Sequence, residues 1–132
     1  MPDLSALREL ERAPLGLPDG LEIEWLGVAG YRLTYDGVSL FIDPYVSRVP
    51  LSALLLRRTT LPDTALIERY VRAPGPVAGV LIGHTHWDHA VDAPAIARRF
   101  GCPVLGSDSL ARLTRLHGLE GTEVEPHRSY EL

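Results

Sequence analysis

From residue 21 the chain alternates apolar and polar positions with a period of two. Leu21-Glu22-Ile23-Glu24-Trp25-Leu26 comes first, then Tyr31-Arg32-Leu33-Thr34-Tyr35, then the nearly continuous apolar run Val38-Ser39-Leu40-Phe41-Ile42. Successive side chains of a strand point to opposite faces, so this period predicts three strands. Asp36-Gly37 separates the second from the third and predicts a tight two-residue hairpin, because glycine accepts the positive φ such a turn imposes. Ahead of these strands, Leu4, Leu7 and Leu10 fall on one helical face between Asp3 and Arg12, and Pro14, Gly16, Pro18 and Gly20 then break the chain repeatedly. The expected organisation is a helix and linker over residues 1–20 and one domain over 21–132.

Further along, the pattern predicts a helix over Asp63 to Val71, ended by Pro74-Gly75-Pro76, and a strand buried on both faces over Val77 to Ile82. It then predicts a helix over Pro94 to Phe100 stopped by Gly101, a strand at Val104-Leu105, a helix over Ser109 to Leu116 stopped by Gly118, and a strand over Thr122 to Val124. The final Tyr130-Glu131-Leu132 reads as the beginning of another strand. Ser47 to Leu61 carries no assignable period. Strands alternating with helices imply an α/β layer.

Composition narrows the function classes. The chain has 132 residues, 45% of them hydrophobic and 23% charged, which suits one ordinary globular domain. Its net charge of −4 is spread along the sequence, without the basic stripe that nucleic acid requires. No apolar run approaches the roughly 18 residues that cross a bilayer. The first twenty residues hold no charged start followed by an apolar core, so a cytoplasmic location is expected. The single cysteine, Cys102, precedes Pro103-Val104-Leu105 and reads as a small buried residue rather than a catalytic thiol.

The chemistry is concentrated in Gly83-His84-Thr85-His86-Trp87-Asp88-His89, directly after the buried strand. In extended backbone, residues two apart project to the same side, so His84 and His86 can offer imidazole nitrogens to one metal ion. If the chain turns after Trp87, Asp88 and His89 can face a second ion. Imidazole and carboxylate ligands without thiolates favour zinc, with iron or manganese as alternatives.

That motif resembles the His-x-His-x-Asp-His signature of the metallo-β-lactamase superfamily. Glu24-Trp25-Leu26-Gly27, Tyr31-Arg32-Leu33 and Leu40-Phe41-Ile42-Asp43-Pro44 are similar to the opening strands of its metal-dependent hydrolase branch, which includes ascorbate-6-phosphate lactonase and N-acyl-phosphatidylethanolamine phospholipase D. The resemblance spans about Leu21 to Leu132. It implies an α/β fold, the amino-terminal half of an αββα sandwich, with a mixed sheet carrying helices on one face. It also implies a two-metal site in which His84 and His86 hold the first ion, Asp88 and His89 hold the second, and Asp88 also orients the attacking water. The attack would fall on the carbonyl or phosphorus centre of an ester, lactone or phosphodiester in a small-molecule substrate. Asp43 is either a carboxylate that holds a histidine from behind or an aspartate before proline that shapes a turn.

Complete members of that superfamily draw a third histidine, a bridging aspartate and a last histidine from their second half. His117 and His127 are the remaining histidines of this chain. The first sits where a histidine caps a helix end and the second follows Pro126 in an expected turn, so neither is a preferred ligand. The expectation is therefore self-association, or a carboxy-terminal half on another polypeptide, with an inactive truncated fragment that retains partial metal binding as the alternative. Arg57-Arg58 is a candidate for holding an anionic substrate or else a solvated pair. Trp87 either lines the substrate cleft or packs beneath the loop.

Overall fold

A computed structural model describes residues 16–132. The leucine pattern between Asp3 and Arg12 lies outside the described residues. The three expected opening strands are β1 (Glu22–Gly27), β2 (Gly30–Tyr35) and β3 (Val38–Ile42). They form an antiparallel meander, with a register irregularity between Trp25 and Gly27. Asp36 and Gly37 have φ of 47° and 78°, both positive as the mirror-image hairpin turn demands. After β3 come α1 (Leu51–Leu55), α2 (Thr64–Tyr70) and β4 (Val77–Leu81). The remaining elements are α3 (Trp87–Ala90), α4 (Ala93–Phe100), β5 (Val104–Gly106), α5 (Asp108–Leu116) and β6 (Gly121–Glu123).

All six strands join one sheet in sequence order, antiparallel from β1 to β3 and parallel from β3 to β6. Helices supply the parallel crossovers, and side-chain caps and a glycine stop mark their ends. Asp63 accepts the Leu66 N–H at the start of α2 at 3.0 Å, Ser107 accepts the Leu110 N–H at the start of α5 at 3.4 Å, and Gly101 ends α4 with φ 65°. The unassigned stretch from Ser47 to Leu61 contains α1, a five-residue helix with no buried side chain. Nothing packs it, which is why no apolar period marks it. Tyr130-Glu131-Leu132 forms no strand. Instead the Tyr130 hydroxyl folds back on the end of β6, accepting the Glu125 N–H at 2.9 Å and donating to the Glu123 carbonyl at 3.4 Å.

The core lies between the sheet and its helices. Phe41, Val80 and Val104 come from adjacent strands, Ile67 and Val71 from α2 and the residue after it, and Ile96 and Leu110 from α4 and α5. Cross-strand partners share a face, so the residues one step out of phase point the other way. Trp25, Tyr31 and Ile42 form one such row, and Ile23, Leu33 and Leu40 the next. Trp25 is 66% exposed, Ile23 47% and Tyr31 41%. This second face is apolar and aromatic, and no described element covers it. Cys102 is half-buried against the core, and burial pushes its thiol pKa up, in keeping with a packing role rather than a nucleophilic one. Among the described residues no helix is long and apolar enough to cross a membrane.

Helix α5 approaches β6 closely because Gly121 has no side chain. A Cβ there would overlap the Thr114 hydroxyl and lie 2.9 Å from the Ala111 Cα. Thr114 is fully buried and bonded to the Leu110 and Ala111 carbonyls, so it cannot step aside. Gly121→Ala is therefore expected to lower stability by about 1–3 kcal/mol, read from the midpoint of urea unfolding. An unchanged midpoint would contradict this packing.

Candidate metal centre

The centre is assembled where β3 and β4 end side by side. These strands are parallel, with Ile42 paired to Leu81, and the Asp43 N–H extends the ladder to the Leu81 carbonyl at 2.9 Å. Asp43 and the glycine that opens the histidine segment thus leave the same sheet edge together. Oδ1 of Asp43 accepts the Gly83 N–H at 2.7 Å. A Cβ on Gly83 would stand 3.1 Å from Oδ2 of Asp43, so the residue is glycine where the carboxylate must approach backbone.

Beyond Gly83 the chain stays extended through His86 (φ −64°, ψ 152°) and then enters α3 at Trp87. The expected turn after Trp87 is this four-residue helix. His84 and His86 lie on one side, with ring centroids 4.7 Å apart, and the helical turn carries His89 back until its ring is 3.8 Å from that of His84. Donor atoms of His84, Asp88 and His89 all fall within 4.8 Å of one another. The three-donor group therefore draws from both of the pairs read in the sequence, and His86 stands beside it against the His84 ring.

The two nitrogens of His89 face different carboxylates. Nδ1 lies 3.1 Å from Oδ2 of Asp43, at ion-pair distance but off the axis of a hydrogen bond, and it has no other partner. Nε2 lies 3.8 Å from Oδ2 of Asp88. Asp43 is buried behind the ring, whereas the Asp88 side chain keeps 33% of its surface open. A carboxylate behind one ring nitrogen fixes the ring's tautomer and turns the other nitrogen toward a cation, as partners of ligating histidines do. A divalent ion sits about 2 Å from each nitrogen or oxygen ligand, so donors around it stand roughly 3–4 Å apart. Small side-chain rotations close the group observed here onto such an ion. The donor set of imidazole and carboxylate fits it.

Around the centre, Tyr45 is buried with its ring edge against Trp87 at 5.6 Å, its hydroxyl accepts the Val49 N–H at 2.6 Å, and the Arg48 guanidinium lies 5.3 Å from its ring centroid. Burial raises the Tyr45 pKa above its usual value. Trp87 both packs on Tyr45 and lines a cavity of about 200 Å³ shared with Thr60, Thr85 and His117. His117 caps α5 and His127 is exposed at φ 62°; neither joins the three-donor group. Arg57 and Arg58 are exposed. Sequence reasoning missed Tyr45 and Asp92, since one tyrosine and one aspartate in loops carry no periodic signal.

This is a mixed sheet with a histidine loop at the carboxyl ends of its parallel strands, and the fold has a solved counterpart. A metallo hydrolase from the hyperthermophilic archaeon Ignicoccus hospitalis superimposes with a TM-score of 0.56 at 22% identity, over 85% of this chain and 42% of that one. The chain shares the fold of that metallo hydrolase. Its described sheet and helices correspond to less than half of that neighbour's chain. In sequence it is similar to UPF0173 metal-dependent hydrolases. It is 31% identical over 102 residues to one from Cereibacter sphaeroides (76% of this chain, 39% of the relative) and 30% identical over 105 residues to one from Methanopyrus kandleri (78% and 38%). The chain thus spans about two fifths of the length of these curated relatives. No protein-family profile matches it.

Gly83→Ala tests the geometry of this candidate centre. A methyl group would press on Oδ2 of Asp43 and displace the carboxylate from His89. Zinc affinity, measured by competition with a chromophoric chelator, is expected to fall about tenfold. An unchanged affinity would mean that Asp43 does not support the site.

Proposed function

We propose that the chain carries the metal-binding half of a metal-dependent hydrolase of the metallo-β-lactamase fold, with zinc as its ion and a small-molecule ester, lactone or phosphodiester as its substrate. The observation that carries this reading is the convergence of His84, Asp88 and His89 within 4.8 Å, with Asp43 behind His89. The names of the curated relatives support the same class. Nitrogen and oxygen donors without thiolate suit zinc and also admit iron or manganese.

In this reading His84 and His86 hold one ion, and Asp88 and His89 hold the other. A divalent cation bound there supplies Lewis acidity, which lowers the pKa of water and polarises the bond to be cut. Asp88 has the exposed carboxylate of the group, so its free oxygen orients the attacking water and accepts its proton. Asp43 keeps the His89 ring turned toward Asp88. Tyr45 and Trp87 pack edge to face and supply an apolar surface next to the histidine loop.

Three converging donors are the minimum of a catalytic zinc site, and two ions require more. The exposed apolar sheet face also calls for a cover, since soluble proteins seldom leave such a face to water. Both needs are met by a second polypeptide, and the proposal is that the chain self-associates through that face. The functional domain runs from residue 21, and the protein works in the cytoplasm.

One sample tests both parts. Metal content per chain is measured on the peak from a calibrated size-exclusion column, for the wild type, His84→Ala, His89→Ala and Trp25→Glu. An assembly larger than one chain carrying close to two metal ions per chain is expected, with occupancy at least halved by either histidine change and the assembly weakened by Trp25→Glu. A monomer would refute self-association. Absence of metal after added zinc would refute the hydrolase reading and leave an inactive fragment.

A further inference from the structure

The segment that follows β3 is held to the histidine loop by two carboxylates, and the second of them lies outside the metal group. Asp92, between α3 and α4, is completely buried. Its Oδ2 accepts the Val46 N–H at 2.7 Å and the Ser47 N–H at 2.9 Å, and its Oδ1 accepts the Ser47 hydroxyl. No cationic side chain forms an ion pair with it among the described residues. Ser47 Oγ also accepts the Asp63 N–H at 2.6 Å, tying the same point to the start of α2. A buried charge satisfied only by hydrogen bonds from one short loop is costly to keep unless that loop must stay in place.

The two carboxylates run in opposite directions between the same two segments. Asp43 reaches from the end of β3 to Gly83 and His89, and Asp92, three residues beyond His89, reaches back to Val46 and Ser47. Between these ties Asp43 holds φ at +44°, where a residue with a side chain is strained by about 1–2 kcal/mol. A loop tied at one end would relax by swinging its carboxylate away. Tied at both ends, it keeps Asp43 opposite Nδ1 of His89.

We propose that Asp92 is a positioning residue of the metal centre, acting through the loop and Asp43 to set the direction of the His89 ring. Its consequence for metal rests on the ligand reading above; its consequence for the ring does not.

The experiment compares the wild type with Asp92→Asn, Asp92→Ala, Asp43→Asn and the double variant Asp43→Asn/Asp92→Ala. Three quantities are read: the His89 ring tautomer in metal-free protein by nitrogen-15 NMR, the affinity and absorption spectrum of cobalt(II) alone, and the thermal midpoint. Asp92→Ala is expected to mix the His89 tautomers, alter the cobalt spectrum and weaken cobalt binding by about 10–100-fold. Asp92→Asn should fall between it and the wild type. The double variant should bind cobalt no more weakly than Asp43→Asn alone, since both changes act on one path. A lowered thermal midpoint with unchanged tautomer, spectrum and affinity would overturn the proposal, as would additive losses in the double variant. If Asp92→Ala does not fold, Asp92→Asn and Ser47→Ala decide by the same readouts. If wild type binds no cobalt, the ligand reading fails, and the ring signals in Asp92→Asn still decide: shifted signals support the clamp and unshifted signals overturn it.

Discussion

The Asp43 carboxylate stands between two segments that meet only because β3 and β4 run parallel. One oxygen takes the Gly83 N–H and the other faces Nδ1 of His89, so a single side chain sets both the start of the histidine loop and the orientation of its last imidazole. The sheet makes this possible. Parallel neighbours end on the same edge, and the Asp43 N–H to Leu81 bond extends their ladder up to the point where the chemistry begins. An antiparallel pairing would have put Gly83 at the opposite edge from Asp43.

The centre is accordingly built on rigid elements rather than on a free loop. Phe41 and Val80 are fully buried and register-paired immediately before it, and α4, packed through Ile96 and Ala97, follows directly after it. Between them the chain makes one extended step and one turn of helix. That is enough to bring the His84 and His89 rings together, tilted by 49°, while leaving Asp88 partly open to solvent. Ligands held this way lose little further freedom when a cation arrives, which is the physical meaning of a preorganised site.

What was legible in the sequence was what is local. The period-two runs, the Asp36-Gly37 turn and the Gly101 stop act over a few residues, and each predicts its element to within one or two positions. Helix α1 carried no signal because none of its side chains is buried, and the Tyr130 segment looked like a strand because the pattern cannot show that its hydroxyl folds back on Glu123 and Glu125. At the centre, the histidine spacing was readable, but the partition of donors was not, since the return of His89 onto His84 depends on α3. Asp43 had two readings, a histidine's carboxylate or a turn before proline, and its geometry is compatible with each. Its backbone makes the positive-φ turn before Pro44, and its side chain backs a histidine.

Positioning of the ligands and completion of their shell are separate problems in this fold. Asp43, Gly83, Asp92 and Ser47 all lie at the strand ends or in the loops beyond them, and none belongs to the exposed rows of Trp25, Tyr31 and Ile23. Burying a large apolar side chain contributes about 1.5–3 kcal/mol, so several left half-open make a substantial drive toward association. That drive acts on one sheet face, whereas the clamp is a set of hydrogen bonds inside a single chain. On the proposed reading the chain therefore holds its own donors in place without help from a second chain. Under the proposed self-association a partner copy adds further donors and a cover for the face, and neither requires the clamp to be remade.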